Sequence, residues 1–185
     1  YTSGTTGKPK GVTIGHRAIA NNIGYFIKKY KITNQDSSIF KTNLAFDTSI
    51  QEMFGILTVG GKLIILPEDK EADLNILYSI IKQEKISVLQ FTPSMLKLFA
   101  GEVTNPNIHG KLQSLRYVFV GGEALDARTA QLFYKALPDT QLINAYGPTE
   151  AAIDVLHYRV PKQAKFISLG QPISNVRVYI LDKNF

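Results

Sequence analysis

Apolar positions along this chain alternate between helical stripes and short β-rich runs. Ile19, Ile23, Phe26 and Ile27 recur at helical spacing and predict an amphipathic helix over 16–30. Leu74, Leu77, Tyr78 and Ile81 fall at i, i+3, i+4 and i+7, which predicts another over 71–85. A third helix is expected from about 47 to 59, stopped by Gly60-Gly61, and a short one after Pro93. Asp126 is a good N-cap for a fifth, over 127–136. Strands are expected at 12–14, 38–44, 62–66, 86–91, 115–120, 140–145 and 176–181.

Strands that alternate with crossover helices imply an α/β fold with a mostly parallel, doubly wound sheet flanked by helices. In such sheets ligands sit outside the carboxyl ends of the strands. Polar or glycine-rich segments follow strands at Gly121-Gly122 and at Tyr146–Glu150, where that rule places a site.

Bulk composition narrows the classes. With 185 residues, 44% hydrophobic and 19% charged, the chain is an ordinary globular protein able to bury one core. No apolar run approaches a membrane span, so no membrane partner is expected. The absence of cysteine excludes disulfides, thiolate zinc sites and cysteine nucleophiles, and fits a cytoplasmic protein. A net charge of +6 is scattered without aromatic interleaving, which argues against nucleic acid as a partner. His16, His109 and His157 show no metal-ligand spacing and read as caps, surface residues or satisfied core histidines.

Candidate chemistry starts in the first eleven residues, Tyr1-Thr2-Ser3-Gly4-Thr5-Thr6-Gly7-Lys8-Pro9-Lys10-Gly11. Glycines let backbone N–H groups approach a ligand, while hydroxyls and ammoniums add donors and positive charge. Such a loop suits a polyphosphate, although two residues between Gly4 and Gly7 are too few for a Walker A sequence. Further along, Asp47 and Gln51 stand one helical turn apart at the border of the face formed by Ile50, Met53, Phe54 and Leu57. Spacing leaves two readings open. They line a polar pocket, or Asp47 is an N-cap and Gln51 is solvated.

The opening loop resembles the phosphate loop of the adenylate-forming superfamily, which includes acyl-CoA synthetases, luciferases and the adenylation domains of nonribosomal peptide synthetases. Phe46-Asp47-Thr48-Ser49 is similar to the Phe-Asp-x-Ser motif of the amino-acid-activating branch. Asn144-Ala145-Tyr146-Gly147-Pro148-Thr149-Glu150 is similar to that branch's adenine- and metal-binding motif. The resemblance spans essentially the whole chain. It implies that residues 1–185 are part of the large N-terminal subdomain of an amino-acid adenylation domain, cut at both ends.

The implied reaction joins an amino acid to ATP, releases pyrophosphate, and passes the aminoacyl group to phosphopantetheine on a peptidyl carrier domain. ATP would be bound by Thr2, Ser3, Gly4, Thr5, Thr6, Gly7, Lys8 and Lys10, with Gly122, Asn144, Ala145, Tyr146, Gly147 and Thr149. Tyr146 would stack on adenine, with the Asn144 amide at the base's edge. Lys10 and Thr149 would serve the phosphates as catalytic groups, and Glu150 would hold Mg²⁺ through hard carboxylate oxygen. Asp47 would hold the substrate's ammonium.

Carried onto the strands, the family pattern lines the side-chain pocket with Asp47, Thr48, Gln51, Gln90, Phe119, Gly121, Ala145, Ile153 and Asp154. That lining favours a polar substrate side chain, glutamine- or glutamate-like, because unpaired buried polar groups are costly. Asp154 alone would equally suit a cationic one. The ribose-binding Asp and the C-terminal-subdomain Lys of the family would lie beyond Phe185, so the segment alone is not expected to adenylate at a useful rate. Rival readings are an acyl- or aryl-CoA ligase, a standalone amino-acid ligase, and a degenerate adenylation module that only scaffolds its neighbours.

Overall fold

The computed structural model describes residues 2, 9–71, 73–103 and 112–183. Five helices and seven strands alternate along them. In chain order they are α1 (His16–Tyr30), β1 (Ser37–Phe40), α2 (Thr48–Leu57), β2 (Lys62–Ile65), α3 (Leu74–Glu84), β3 (Val88–Phe91), α4 (Pro93–Val103), β4 (Tyr117–Val120), α5 (Ala127–Ala136), β5 (Gln141–Tyr146), β6 (Leu156–Arg159) and β7 (Gln171–Pro172). A single 3₁₀ turn, Thr149–Ala151, follows β5.

The strands form one sheet in the order β2-β1-β3-β4-β5-β6-β7. Its first five members are parallel, and β6 and β7 return antiparallel. The expected doubly wound sheet is therefore present, with an antiparallel edge. From β1 the chain steps outward to β2, then crosses back to β3 on the far side of β1. Ligand crevices of doubly wound sheets open at such a reversal. Here β1 and β3 pair only at Ser38↔Val88, against four register pairs between β3 and β4.

Apolar alternation on the strands assigns each face its helices. Val118, Val120, Leu89, Phe91 and Leu142 join α3, α4 and α5 through Ile81, Phe99 and Phe133 in one core. Val88, Phe119 and Ile143 face the other way, against Phe26 and Tyr30 of α1 and Ile56 of α2. Gln90 shares this second face with Val88, and Gly121 and Ala145 share it with Phe119 and Ile143. Asp126 caps α5 by accepting from the Thr129 N–H at 2.8 Å, as its sequence position predicts. Asp73 caps α3 in the same way.

Two expected strands are absent. Residues 12–14 form no strand, and neither do 176–181, where Ile180 is fully exposed. Both are β-branched runs, but among the described residues no neighbour offers them a ladder, and a strand without a partner is not stable. The antiparallel strand β6, by contrast, was not expected. None of the described helices is long and apolar enough to cross a membrane.

Candidate functional site

The site lies where the loops after β1, β4 and β5 converge. α2 begins straight after Asp47, so this residue occupies the N-cap position, yet its side chain makes no capping bond and its backbone is already helical (φ −65°, ψ −24°). Instead, Asp47 borders a pocket of about 230 Å³ with Ile14, Ile19, Ile50, Thr149 and Ile153. Its Oδ2 is buried with no hydrogen-bond partner among the described residues. A buried carboxylate oxygen without a donor is costly, and native structures rarely leave one.

Gln51 does not join Asp47. One turn further along α2 it is buried at 2% exposure, which removes the solvated reading, and it enters a separate polar cluster. Its Nε2 donates to Asn22 Oδ1 at 2.9 Å, while Gln90 Nε2 donates to Gln51 Oε1 at 2.7 Å. Asn22 Nδ2, from α1, donates to the main-chain oxygen of Asp154 at 2.8 Å and to its Oδ1 at 2.5 Å. His157 Nε2 lies 3.0 Å from Asp154 Oδ2 without hydrogen-bond alignment. On its other side, His157 Nδ1 meets the Tyr30 hydroxyl at 2.7 Å. Burial, together with the neighbouring Tyr25, Asp154 and Tyr117, pushes the Tyr30 phenol far above its usual range, so it stays protonated.

Gln51 follows Ile50 and Asp154 follows Ile153 in sequence, but none of Gln51, Gln90 and Asp154 lines the pocket itself. These three residues of the expected side-chain lining are brought together, and they bond one another. Asn22, Tyr30 and His157 complete the cluster and were not anticipated as part of a site. Sequence offers no cue for Asn22, which reads as a polar residue in an amphipathic helix.

Other expected residues are placed differently. Phe119 lies outside the lining of the pocket beside Asp47. It is 2% exposed in an aromatic core, 4.7 Å from Tyr30 and 5.0 Å from Phe26 between ring centroids. Thr48 opens α2 and is half-buried, outside the pocket lining. Asn144 points to the opposite face, where its Nδ2 donates to Ser168 O at 2.9 Å, so one of its two amide donors is used within the protein. Tyr146, at the carboxyl end of β5, is 46% exposed.

Backbone approaches explain two glycines, and a positive φ explains a third. A Cβ on Gly121 would stand 2.8 Å from Ala145 O, and one on Gly147 would stand 2.5 Å from the Asp154 Cα. Gly122 takes φ +85°, which favours glycine. These contacts set the loops after β4 and β5 close together and bring the 152–155 segment under the Tyr146–Gly147 turn. Ala152 and Ile153 both adopt positive φ (67° and 78°) to make that return, a costly geometry for residues with a Cβ.

The expected phosphate loop lies mostly outside the described residues, as do Ser3, Gly4, Thr5, Thr6, Gly7 and Lys8. Its two ends are described: Thr2 and Lys10 form an antiparallel bridge with paired N–H···O bonds of 2.9 Å. Lys10 is exposed.

Glu150, on the 3₁₀ turn, is exposed, and among the described residues no group of three His, Cys, Asp or Glu is placed to hold a metal. That donor set does not form a protein cage. It fits Mg²⁺, which binds through one or two carboxylates and completes its shell with water and substrate phosphates. A second cavity, of about 590 Å³, is lined by Tyr117 and Gln141 at the amino ends of β4 and β5 and by Tyr30 and His157 of the polar cluster.

The family model for AMP-binding enzymes matches residues 1–185. The chain belongs to the AMP-binding enzyme family. Within it, the likeness is to peptide synthetases. Tyrocidine synthase 3 of Brevibacillus parabrevis is 40% identical over 184 aligned residues, covering 98% of this chain and 3% of that protein. Phosphinothricin tripeptide synthetase PhsB of Streptomyces viridochromogenes is 37% identical over 182, covering 98% of this chain and 15% of the relative. The chain thus spans a small fraction of the length of these relatives.

A solved nonribosomal peptide synthetase, FmoA3, superposes with a TM-score of 0.87 at 26% identity, over 95% of this chain and 19% of that one. Its AMPPNP-bound form matches with the same TM-score at 27% identity. The doubly wound sheet of this AMP-binding enzyme is therefore the adenylate-forming architecture that its motifs resemble.

Proposed function

We propose that this AMP-binding enzyme is the amino-acid-activating part of a nonribosomal peptide synthetase. It condenses an amino acid with ATP to an aminoacyl-adenylate, releasing pyrophosphate, for transfer to phosphopantetheine on a carrier domain. The observation that carries this reading is the Asp47 Oδ2, unpartnered among the described residues, beside a 230 Å³ pocket. Sites for drug-sized ligands run to roughly 300–1,000 Å³, so a pocket of this size suits something the size of one amino acid. An ammonium supplies the donors that Asp47 lacks, and an ion pair in a partly dry pocket is strong recognition.

Thr149 borders the same pocket, so a substrate amine on Asp47 leaves its carboxylate within the loop that ends β5. The substrate carboxylate is itself the nucleophile toward the α-phosphate. The protein therefore supplies position and charge rather than a covalent intermediate. Tyr146 offers the exposed ring for adenine, Thr149 a hydroxyl for the α-phosphate, and Lys10 and the loop it closes the positive charge for the β- and γ-phosphates. Glu150 would hold Mg²⁺, which supplies charge neutralisation at the phosphates when bound. The family pattern that assigns Gln51, Gln90 and Asp154 to the side-chain pocket supports a polar substrate side chain.

The test is amino-acid-dependent ATP–pyrophosphate exchange on the complete enzyme across the proteinogenic amino acids. Exchange with one or a few of them is the expected result. Exchange driven only by fatty or aryl acids would move the protein to the CoA-ligase branch and refute the reading.

A further inference from the structure

Asp47 does not cap α2 because the turn before the helix spends the donors that a cap would take. A capping residue at this position accepts from the N–H of Ser49 or Ile50. Those two N–H groups donate instead to Phe46 O at 3.1 Å and to Asp47 O at 3.0 Å. The Phe46 N–H in turn donates to Asn43 O at 2.9 Å, and Asn43 Oδ1 accepts the Ala45 N–H at 2.9 Å. Where the Asp47 carboxylate points therefore depends on the conformation of residues 43–46.

Burial does not hold that turn. Residues 43–46 are all exposed, although Leu44, Ala45 and Asp47 together wall one part of the 230 Å³ pocket. The grip comes from Glu52, further along α2, which is buried at 2% exposure and does not line the pocket. Its Oε2 accepts the main-chain N–H groups of Lys41 at 3.2 Å and Thr42 at 2.9 Å. Its Oε1 accepts the Thr42 hydroxyl at 2.8 Å and lies 3.5 Å from Lys41 Nζ. That ammonium also stands 5.1 Å from the centre of the Phe91 ring at the end of β3. A carboxylate only accepts, and here both of its oxygens are occupied. Glu52 thus ties the start of the β1–α2 loop to the helix that the end of the loop runs into.

We infer that Glu52 is a positioning residue for Asp47: its bonds to Lys41 and Thr42 close the β1–α2 loop, and the closed loop keeps the Asp47 carboxylate on the pocket rather than on its own helix. The inference rests on the amino-acid-activating reading above. A released loop allows the ordinary start of a helix, in which residue 47 is extended and its carboxylate takes the Ser49 or Ile50 N–H. That capped state competes with a substrate ammonium for the same oxygens. Glu52 touches no substrate and acts only through Asp47.

The experiment is ATP–pyrophosphate exchange on the complete enzyme, with the proteinogenic amino acid that drives it best and with its des-amino analogue. The parent is compared with Glu52→Ala, Glu52→Gln and Thr42→Val. Glu52→Ala is expected to lower the preference for the amino acid over the des-amino acid about tenfold in kcat/KM, through the amino-acid KM. The ATP KM stays unchanged. Glu52→Gln keeps an oxygen for the two main-chain N–H groups and should retain most of the preference. An unchanged preference in Glu52→Ala overturns the inference and leaves the activation chemistry standing, as does a loss shared equally by both acids and ATP. If Glu52→Ala fails to fold, Thr42→Val decides, since it removes one hydroxyl and leaves α2 intact. A severalfold lower preference in that variant supports the inference, and an unchanged one overturns it. Exchange in the parent with no amino acid, or equally with the des-amino acid, refutes the reading on which the inference rests.

Discussion

Asn22 and Asp154, 132 residues apart, are joined twice by one amide nitrogen, at 2.8 Å to the main-chain oxygen and 2.5 Å to the carboxylate. Through this nitrogen, α1 holds the segment that returns from the β5 loop. Ala152 and Ile153 keep their positive φ angles because that segment is tied down at both atoms of Asp154.

Replacing Asn22 by Leu removes both donors and leaves the Asp154 carboxylate buried with weaker partners. A loss of about 1–3 kcal/mol in unfolding free energy is expected, measured by denaturant titration. Because Asn22 positions Asp154 and Gln51 without bordering the pocket, KM for the amino acid should rise while the nucleotide KM changes little. An unchanged amino-acid KM would leave Asn22 with a purely structural role.

Arg116 and Asp36 tie the opposite end of the sheet, with Nη1 donating to Oδ1 at 2.6 Å beside the Ser87 hydroxyl at 2.7 Å. Burial alone would push the Asp36 carboxyl up. Hydrogen bonds from Ser87, the Thr33 N–H and Arg116, with the guanidinium charge, outweigh it and hold the group below its usual range. A carboxylate with a lowered folded-state pKa contributes stability that is present above its unfolded value, about 3.9, and is lost as pH falls through the lower folded value. Unfolding free energy should therefore fall with acidification below about pH 4, and Asp36→Asn should flatten that acid limb. Arg116→Met is expected to cost about 1–3 kcal/mol at neutral pH.

Gly147→Ala drives a Cβ to within 2.5 Å of the Asp154 Cα and 2.6 Å of Ile153 O, both backbone atoms that cannot rotate away. A cost of about 1–3 kcal/mol is expected from overpacking. Pocket and nucleotide loop move together, so KM for amino acid and for ATP should rise in the same variant. An effect on one substrate alone would separate two parts that the structure joins.

Tyr146 is exposed and makes no packing contribution to either core, so Tyr146→Ala should leave stability within about 0.5 kcal/mol of the parent. If its ring carries adenine, the nucleotide KM should rise severalfold while amino-acid selectivity is retained. Thermal unfolding and steady-state exchange at varied ATP measure both halves.

Much of the fold is legible in the sequence because its signals are local. The stripe of Leu74, Leu77, Tyr78 and Ile81 and the cap at Asp126 act within a few residues, and both elements form where they point. Strand content at 12–14 and 176–181 is not decided locally, since a β-branched run becomes a strand only beside a partner. The candidate site divides the same way. Asp47, Thr149 and Ile153 share one pocket, and their motifs are contiguous strings. Asn22, Tyr30 and His157 enter through contacts more than 100 residues apart in sequence, which carry no local pattern. Phe119 and Asn144, carried over from the family pattern, meet neighbours that no local string shows: one packs in the core, and the other bonds to Ser168.

An ammonium held at Asp47 is the central claim. The most direct measurement is ATP–pyrophosphate exchange with the preferred amino acid and with its des-amino analogue, in the parent and in Asp47→Asn. The parent should favour the amino acid by about a hundredfold or more in kcat/KM, and the variant should lose most of that preference by losing the amino acid. Equal use of the des-amino acid by the parent, or an unaltered preference in Asp47→Asn, would contradict the central claim.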